Sequence, residues 1–466
     1  MPARPDRAPD KNLKKLASAI FVILDSDMAP TNNKNLGAAS PSADLTAETV
    51  PLISLREPER TERTVVEHAL TGVRTLRQAV VDLVPEIRQR ADAAERERRL
   101  PAETMASLRK AGLFRAFVPR IYGGDERTLA EVLDTGTELA AGCPSTAWVG
   151  TLFAMHNIAA CWLDKRGQDE IFADGPDVLL ASSVAPMGKL VRADGGYRLA
   201  GKWSFSSGIE HASWIMVGAT VAPESAGAPP DYVFAFVRAS EVTLIDDWHV
   251  SGLRATGSKS IELKDVLVPR HRVVLLKTVQ DGTAPGLALH KQPFYRLPWY
   301  PVFICAFPAA GLGTAIAMLE GFRDYIRSRV DGFSGVAFQT TSGSAARMAE
   351  AAAEIDAARL VFRRDVAALD RAAQEGRPLR PGESERIMYD APFIMDACSR
   401  AVIRLLRGSG GKALYENNPL QRHFRDIHAM TQHVAMDLDR AGETYGRLLF
   451  QNAELALGAR EPTHKN

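Results

Sequence analysis

Four cysteines in 466 residues are few, and Cys143, Cys161, Cys305 and Cys398 stand too far apart along the chain for a zinc or dithiol motif. No disulfide framework is expected, and a reducing cytoplasmic setting is the simplest reading. Neither sign of charge is in excess, with 57 basic against 56 acidic residues, so an acidic polymer is not implied as a partner. The sequence also lacks the basic stripe of a nucleic-acid binder. The early apolar run Leu16 to Leu24 is nine residues, too short to span a bilayer, and it exits into Asp25-Ser26-Asp27 rather than a small-residue cleavage site. No membrane association is expected.

Several motifs of chemistry are missing too. There is no G-x-x-x-x-G-K-[ST] phosphate loop, and Gly311-Leu312-Gly313 lies inside a helical pattern, where close helix packing explains it. There is no H-E-x-x-H; His428 and His433 are five apart, the wrong spacing for one helical face, so no metal is expected. Ser206-Ser207-Gly208 does not form a G-x-S-x-G elbow. These absences argue against a built-in nicotinamide site, metal catalysis and hydrolase-type serine chemistry.

What is present falls into four stretches. Residues 1–60 are polar and aperiodic after the short apolar run and read as a disordered leader. Residues 61–176 carry helical periodicity, with Pro101 and Gly112 bracketing one helix and Leu129 to Ala141 and Thr146 to Leu163 reading as largely buried ones. Within 177–288 the period shifts toward two. A hairpin turns at Asp194-Gly195, and Trp214 to Val221, Tyr232 to Val237 and Ser260 to Val268 continue as strands. Residues 289–466 return to helix, over 308–329, 345–373, 384–407 and 426–454, the pattern of a four-helix bundle. The fold expected is mostly α with a central β domain.

Three clusters can carry chemistry. Trp203-Ser204-Phe205-Ser206-Ser207-Gly208 places aromatics and hydroxyls where a strand opens into a loop, suiting a planar heterocycle. Ser251-Gly252-Leu253-Arg254-Ala255-Thr256-Gly257-Ser258 offers backbone N–H groups, hydroxyls and a guanidinium, suiting a phosphate or an anionic ring edge. Arg422, Asp426 and His433 fall on nearly one face if the helix runs through them. Each has a plain alternative: a polar turn for the first two, a solvated or core histidine for the third. His156 in an apolar helix is equally well explained as a core residue bonded to backbone.

The order helices, β domain, bundle resembles the acyl-CoA dehydrogenase fold, as do Gly252 to Ser258 and the pair Arg425-Asp426. The chain departs from those dehydrogenases at Ala181 to Gly188, where they carry T-E-P-x-x-G-S-D, and at Ile427 to Thr431, where they carry Y-E-G-T with its proton-abstracting glutamate. The replacements resemble the flavin-dependent monooxygenases of the same fold, the oxygenase components of two-component aromatic hydroxylases. The motifs that carry this are S-S-x-x-P-x-G (Ser182 to Gly188), W-x-F-S-S-G (Trp203 to Gly208) and R-D-x-H-x-x-x-x-H (Arg425 to His433).

The resemblance implies reduced FAD or FMN and O2 as cofactors, a C4a-hydroperoxide as oxygenating species, a separate NAD(P)H:flavin reductase, a small aromatic or polycyclic substrate and a homotetramer. It implies catalytic or substrate-contacting roles for His433, His156, Ser182, Ser207 and Asp426. It implies flavin binding by Trp203, Phe205, Ser206, Ser207, Arg254 and Ser258, with Arg329 and Gly410 reaching across a subunit interface. Around Arg329 the usual phosphate-contact pattern is replaced by Gly332-Phe333-Ser334-Gly335. Two other activities stay open on the sequence: acyl-CoA dehydrogenation or oxidation with an unusual base, and N-oxygenation of an amine or amino sugar.

Overall fold

A computed structural model describes residues 74–223 and 229–452 of the chain; the leader expected over 1–60 lies outside the described residues. Among the described residues six α-helices come first: α1 (Leu76–Val81), α2 (Val84–Glu97), α3 (Ala102–Ala111), α4 (Leu129–Ala140), α5 (Pro144–Ala160) and α6 (Lys165–Ile171). Local signals set their ends. The Thr75 hydroxyl caps α1 by accepting from the Gln78 N–H. Thr128 and Glu131 form a reciprocal capping box on α4. Gly112 stops α3 at φ +89°, a backbone conformation that L residues adopt only at a cost. Helix α5 is buried along its whole length, which is why its sequence has no polar face.

Seven strands follow: β1 (Leu180–Ala193), β2 (Gly196–Trp203), β3 (Trp214–Val221), β4 (Asp231–Arg238), β5 (Thr243–Ile245), β6 (Ser260–Pro269) and β7 (Val273–Leu275). They form one sheet in the order β5-β6-β2-β1-β3-β4-β7. All neighbours are antiparallel except β1 and β3, which run parallel. The hairpin turns at Asp194-Gly195 as expected, with Gly195 at φ +79°. The β1–β3 register jumps from Ser183↔Val217 to Gly188↔Ala219, so Val184 to Met187 bulge opposite the single residue Gly218. A Cβ on Gly218 would sit 2.0 Å from the Val184 carbonyl oxygen, which is why this interior strand position holds glycine.

The remaining helices are α7 (Leu276–Gln280), α8 (Trp299–Ile304), α9 (Ala306–Arg327), α10 (Ser342–Glu375), α11 (Glu383–Ser409), α12 (Pro419–Thr431) and α13 (Leu438–Gln451). Helix α9 packs on α10, α11 and α12, and also against α4 and α5, so the bundle and the first helices share one core. The stretch Trp299–Arg327 is long and apolar enough to cross a membrane, but 89% of its most apolar window is buried inside the protein. Asp370 of α10 ties the two helical regions together: its two carboxylate oxygens accept from the Leu129 and Ala130 N–H groups, both at 3.0 Å, at the positive end of α4.

One sequence expectation is corrected. No single helix spans 426–454; α12 ends at Thr431 and α13 begins at Leu438. His433 is therefore not on the face of Arg422 and Asp426. It caps the short turn between the two helices, its Nδ1 accepting from the Ala435 N–H at 3.2 Å.

Candidate active site

Two remote sequence motifs close on each other first. The Gly208 N–H donates to the Thr256 carbonyl at 2.8 Å, and the Ser206 N–H to the Lys259 carbonyl at 3.2 Å. The loop after β2 thus lies against the turn before β6. Its tightness shows in Gly208 at φ +72°, where a Cβ would fall 2.7 Å from the Phe153 ring. The turn is held from the other side by α12. Asp426 Oδ1 accepts from the Leu253 N–H at 2.6 Å, and an Arg425 guanidinium nitrogen donates to the Ser251 carbonyl at 2.6 Å. Asp426 is 2% exposed, and burial pushes its carboxyl up to about 6, against the opposing pull of that N–H. Its carboxylate is committed to backbone, which makes it a residue that places the turn.

Inside this contact runs a chain of hydroxyls. Trp148 Nε1 of α5 donates to Ser207 Oγ at 3.3 Å, Ser207 Oγ lies 2.8 Å from Ser258 Oγ, Ser258 Oγ lies 2.6 Å from Thr256 Oγ1, and Thr256 Oγ1 donates to the Leu253 carbonyl at 2.8 Å. Beside it the Ser206 hydroxyl is fully buried and has no partner. Phe205 is held at φ +65° with its ring 69% exposed, edge-on to Trp248 at 6.0 Å. An orphaned buried hydroxyl, a partly buried hydroxyl beside it and an exposed aromatic face together fit a planar, nitrogen-rich ring such as a flavin. Trp203 does not join them. It is 1% exposed in the core of the sheet, with its Nε1 donating to the Gly218 carbonyl at 2.8 Å, so the expected flavin contact by this ring is replaced by a packing role.

The second polar centre is His156. Its Nδ1 lies 2.7 Å from the Leu180 carbonyl and its Nε2 lies 2.9 Å from Ser182 Oγ. A carbonyl only accepts, so Nδ1 carries the proton and Nε2 is the acceptor in the neutral ring. Burial pushes this imidazole down to about 4, so it is neutral near pH 7. It stacks on Phe303 at 5.3 Å and lines an apolar cavity of about 30 Å³ with Trp162, Val184, Met216, Phe294 and Trp299 among its neighbours. Phe294, Tyr295, Trp299 and Trp162 form its aromatic wall, whereas Phe153 packs on Phe114 and under Gly208.

His433 meets both centres through rings: 4.2 Å from Phe307 and 5.7 Å from Trp148, with Phe307 also 5.7 Å from Phe303. Burial lowers its imidazole to about 4 as well. Arg254 stands apart, exposed on an open groove of about 600 Å³ with Arg96, Arg98 and His249, its Nε donating to the Val250 carbonyl at 2.8 Å. Arg329 and Gly410 meet each other: the guanidinium donates to the Ser409 carbonyl and would contact a Cβ on Gly410 at 3.1 Å. Sequence reasoning missed the donor role of Trp148 and the link through Thr256. The first was hidden because α5 is apolar throughout, the second because a threonine in a turn has no signature of its own.

A β sheet between two helical regions that share one core is the architecture of the acyl-CoA dehydrogenase fold. Residues 73–172 match the acyl-CoA dehydrogenase N-terminal domain and residues 305–438 the C-terminal domain of that family. The chain is 36% identical, over 80% of its length and 94% of the relative's, to the flavin-dependent monooxygenase oxygenase subunit HsaA of Mycobacterium tuberculosis. It is also 36% identical to the oxygenase component of the FADH2-dependent resorcinol hydroxylase of a Rhizobium species, covering 78% of this chain and 91% of that one. The solved structure of XiaF from a Streptomyces species, in complex with FADH2 and glycerol, superposes with a TM-score of 0.76 at 29% identity, covering 84% of this chain and 97% of the other. The chain belongs to the oxygenase components of the flavin-dependent monooxygenases, and is an oxidoreductase of that family.

Proposed function

We propose that this chain takes reduced FAD or FMN from a separate NAD(P)H:flavin reductase and uses it with O2 to hydroxylate a planar phenolic substrate. The carrying observation is His156, hydrogen-bonded to Ser182, which places a polar ring in a pocket otherwise walled mainly by aromatic and aliphatic side chains. FAD is the favoured flavin, because the resorcinol hydroxylase relative is named for FADH2 and XiaF is solved with it.

Reduced flavin, when bound, supplies the electrons that O2 needs. Ser207 and Phe205 would hold its ring, and the exposed guanidinium of Arg254 suits its anionic part. The rest is done by the protein's own groups. A phenol in the pocket donates to Ser182 Oγ, whose own proton already points at His156 Nε2. The pair can therefore draw the phenol proton toward the imidazole and raise electron density on the ring. Burial makes the imidazolium costly, so His156 orients and polarises the phenol rather than ionising it outright. Trp299, Phe303 and Phe307 exclude water, which keeps reducing power from being lost to hydrogen peroxide.

A homotetramer is proposed on the exposed apolar side chains Val330, Phe333, Val336, Leu414 and Tyr415, which flank the Arg329–Ser409 contact and need cover. A cytoplasmic setting is supported by the four free, buried cysteines. The test is direct. The protein is mixed anaerobically with reduced flavin and then with 18O2 and a panel of phenols. One 18O atom in a hydroxylated product supports the reading; flavin reoxidation with no product from any phenol, together with bleaching of bound flavin by acyl-CoA thioesters, overturns it.

A further inference from the structure

Gln168 of α6 ties together the two aromatic sides of the substrate pocket. Its amide nitrogen donates to the Cys161 carbonyl at 3.2 Å and to the Leu163 carbonyl at 2.8 Å. Carbonyls only accept, so the amide nitrogen spends both its protons there and Oε1 is turned to His290, 2.9 Å from its Nε2. An amide oxygen cannot donate, which puts the His290 proton on Nε2. Both side chains are buried. The two carbonyls flank Trp162, just past the end of α5, and the Trp162 carbonyl between them accepts from the Gly286 N–H at 3.1 Å. From His290 the chain runs on as a strap to α8, and Phe294, Tyr295, Leu297 and Trp299 line the cavity together with Ile158 and Trp162. The strap carries one short 3-10 turn, Pro293–Arg296, so side-chain ties set its place. Beyond His290, the Tyr295 hydroxyl donates to the Phe117 carbonyl at 3.0 Å, and its ring lies 4.9 Å from the His290 ring. Across the pocket the Trp162 and Trp299 rings meet edge-on at 6.1 Å.

We propose that Gln168 and His290 form a brace that fixes the width of the substrate pocket and so sets the size of phenol held against His156. The inference rests on the phenol-binding reading above. One glutamine grips the peptides on both sides of Trp162 and, through His290, the start of the strap that carries Trp299. Neither residue lines the cavity, so both are positioning residues. Helix α5 is buried along its whole length and stays in place when the brace is cut. The strap, whose Phe294 and Trp299 are only half-buried, is then free to move outward. A one-ring phenol loses contact with the receding wall, whereas a fused-ring phenol is broad enough to keep it.

The test is equilibrium binding without flavin, read by quenching of tryptophan fluorescence. Dissociation constants for phenol and for naphthol are measured on the wild type, His290→Phe, His290→Asn and His290→Gln. Phenylalanine keeps a ring against Tyr295 but removes the donor. Asparagine is too short to bring its amide nitrogen to Gln168, whereas glutamine places that nitrogen where Nε2 stood. The ratio of the phenol to the naphthol dissociation constant should rise about tenfold in His290→Phe and His290→Asn, the scale of one lost hydrogen bond. His290→Gln should keep the wild-type ratio. A residue that only stabilised the fold would lower the melting temperature and leave the ratio alone. An unchanged ratio in whichever of His290→Phe and His290→Asn is folded by circular dichroism overturns the brace. A ratio raised equally in His290→Gln also overturns it, because the donor would then be irrelevant. Wild-type protein that binds neither compound overturns the phenol reading itself, so the two failures are distinct.

Discussion

Ser182 Oγ lies 2.9 Å from His156 Nε2, while the other nitrogen of the same ring is held by the Leu180 carbonyl at 2.7 Å. Because β1 begins at Leu180, one strand both fixes the ring's tautomer and supplies its hydroxyl partner. Ser182→Ala should lower kcat/KM for phenols by about 10- to 100-fold, the scale of a lost proton-handling contact. Thermal stability should fall by only about 1 kcal/mol, since one hydrogen bond at a half-buried site is lost. Steady-state kinetics and a melting curve check both; wild-type kcat/KM in the variant would remove Ser182 from the reaction.

Asp426 separates a positioning role from a catalytic one. Asp426→Ala leaves the Leu253 N–H buried without an acceptor and should cost about 1–3 kcal/mol. Asp426→Asn keeps an acceptor oxygen, so it should retain most of the stability and the flavin affinity. If Asp426→Asn instead folds and binds flavin as the wild type does but no longer turns over, the carboxylate has a part in the chemistry that its contact with Leu253 does not explain.

The wall of the pocket is set at a distance by Tyr232. Its hydroxyl donates to the Val184 carbonyl, and Val184 lines the cavity. Tyr232 shares a face of β4 with Phe234, whose ring meets Trp162 at 5.8 Å and Trp299 at 5.7 Å. Tyr232→Phe should free the bulge and weaken discrimination between one-ring and fused-ring phenols, with about a threefold to tenfold change in relative affinity, the effect of losing about one hydrogen bond. Quenching of tryptophan fluorescence on titration with each phenol reads this without turnover; identical affinities for both phenol sizes in wild type and variant would count against it.

Acid should unfold the protein by way of its buried histidines. The imidazole of His156 is lowered from 6.5 to about 4 in the folded chain, so between those values the unfolded chain binds more protons. Stability from this group is present above about pH 6.5 and is lost as the pH falls toward 4, up to about 3 kcal/mol in all. His433 shifts the same way. Melting temperature measured from pH 7 to pH 4 should fall, and His156→Gln should flatten the slope; an unchanged slope would mean that other groups carry the acid response.

The sequence by itself determined the order of structure and offered the residues of the candidate site. Helical periodicity broken by Pro101 and Gly112, the Asp194-Gly195 turn and the alternation of Trp214 to Val221 are local signals, and they act within a few residues. The motifs at Ser182, Ser206 to Ser207 and Arg425 to Asp426 were likewise legible. The bend at His433 was not, because residues 432–437 keep enough helical pattern to pass as continuous helix, while in the fold His433 leaves the helix and its ring meets Phe307 at a tilt. Nor was the fate of Trp203, whose neighbours are exposed and polar while packing against Gly188, Gly201 and Gly218 draws the ring inward. The meeting of the Ser207, Ser258 and Thr256 hydroxyls was decided only by the tertiary structure, because it needs α5, the loop after β2 and the turn before β6 to come together from remote parts of the sequence.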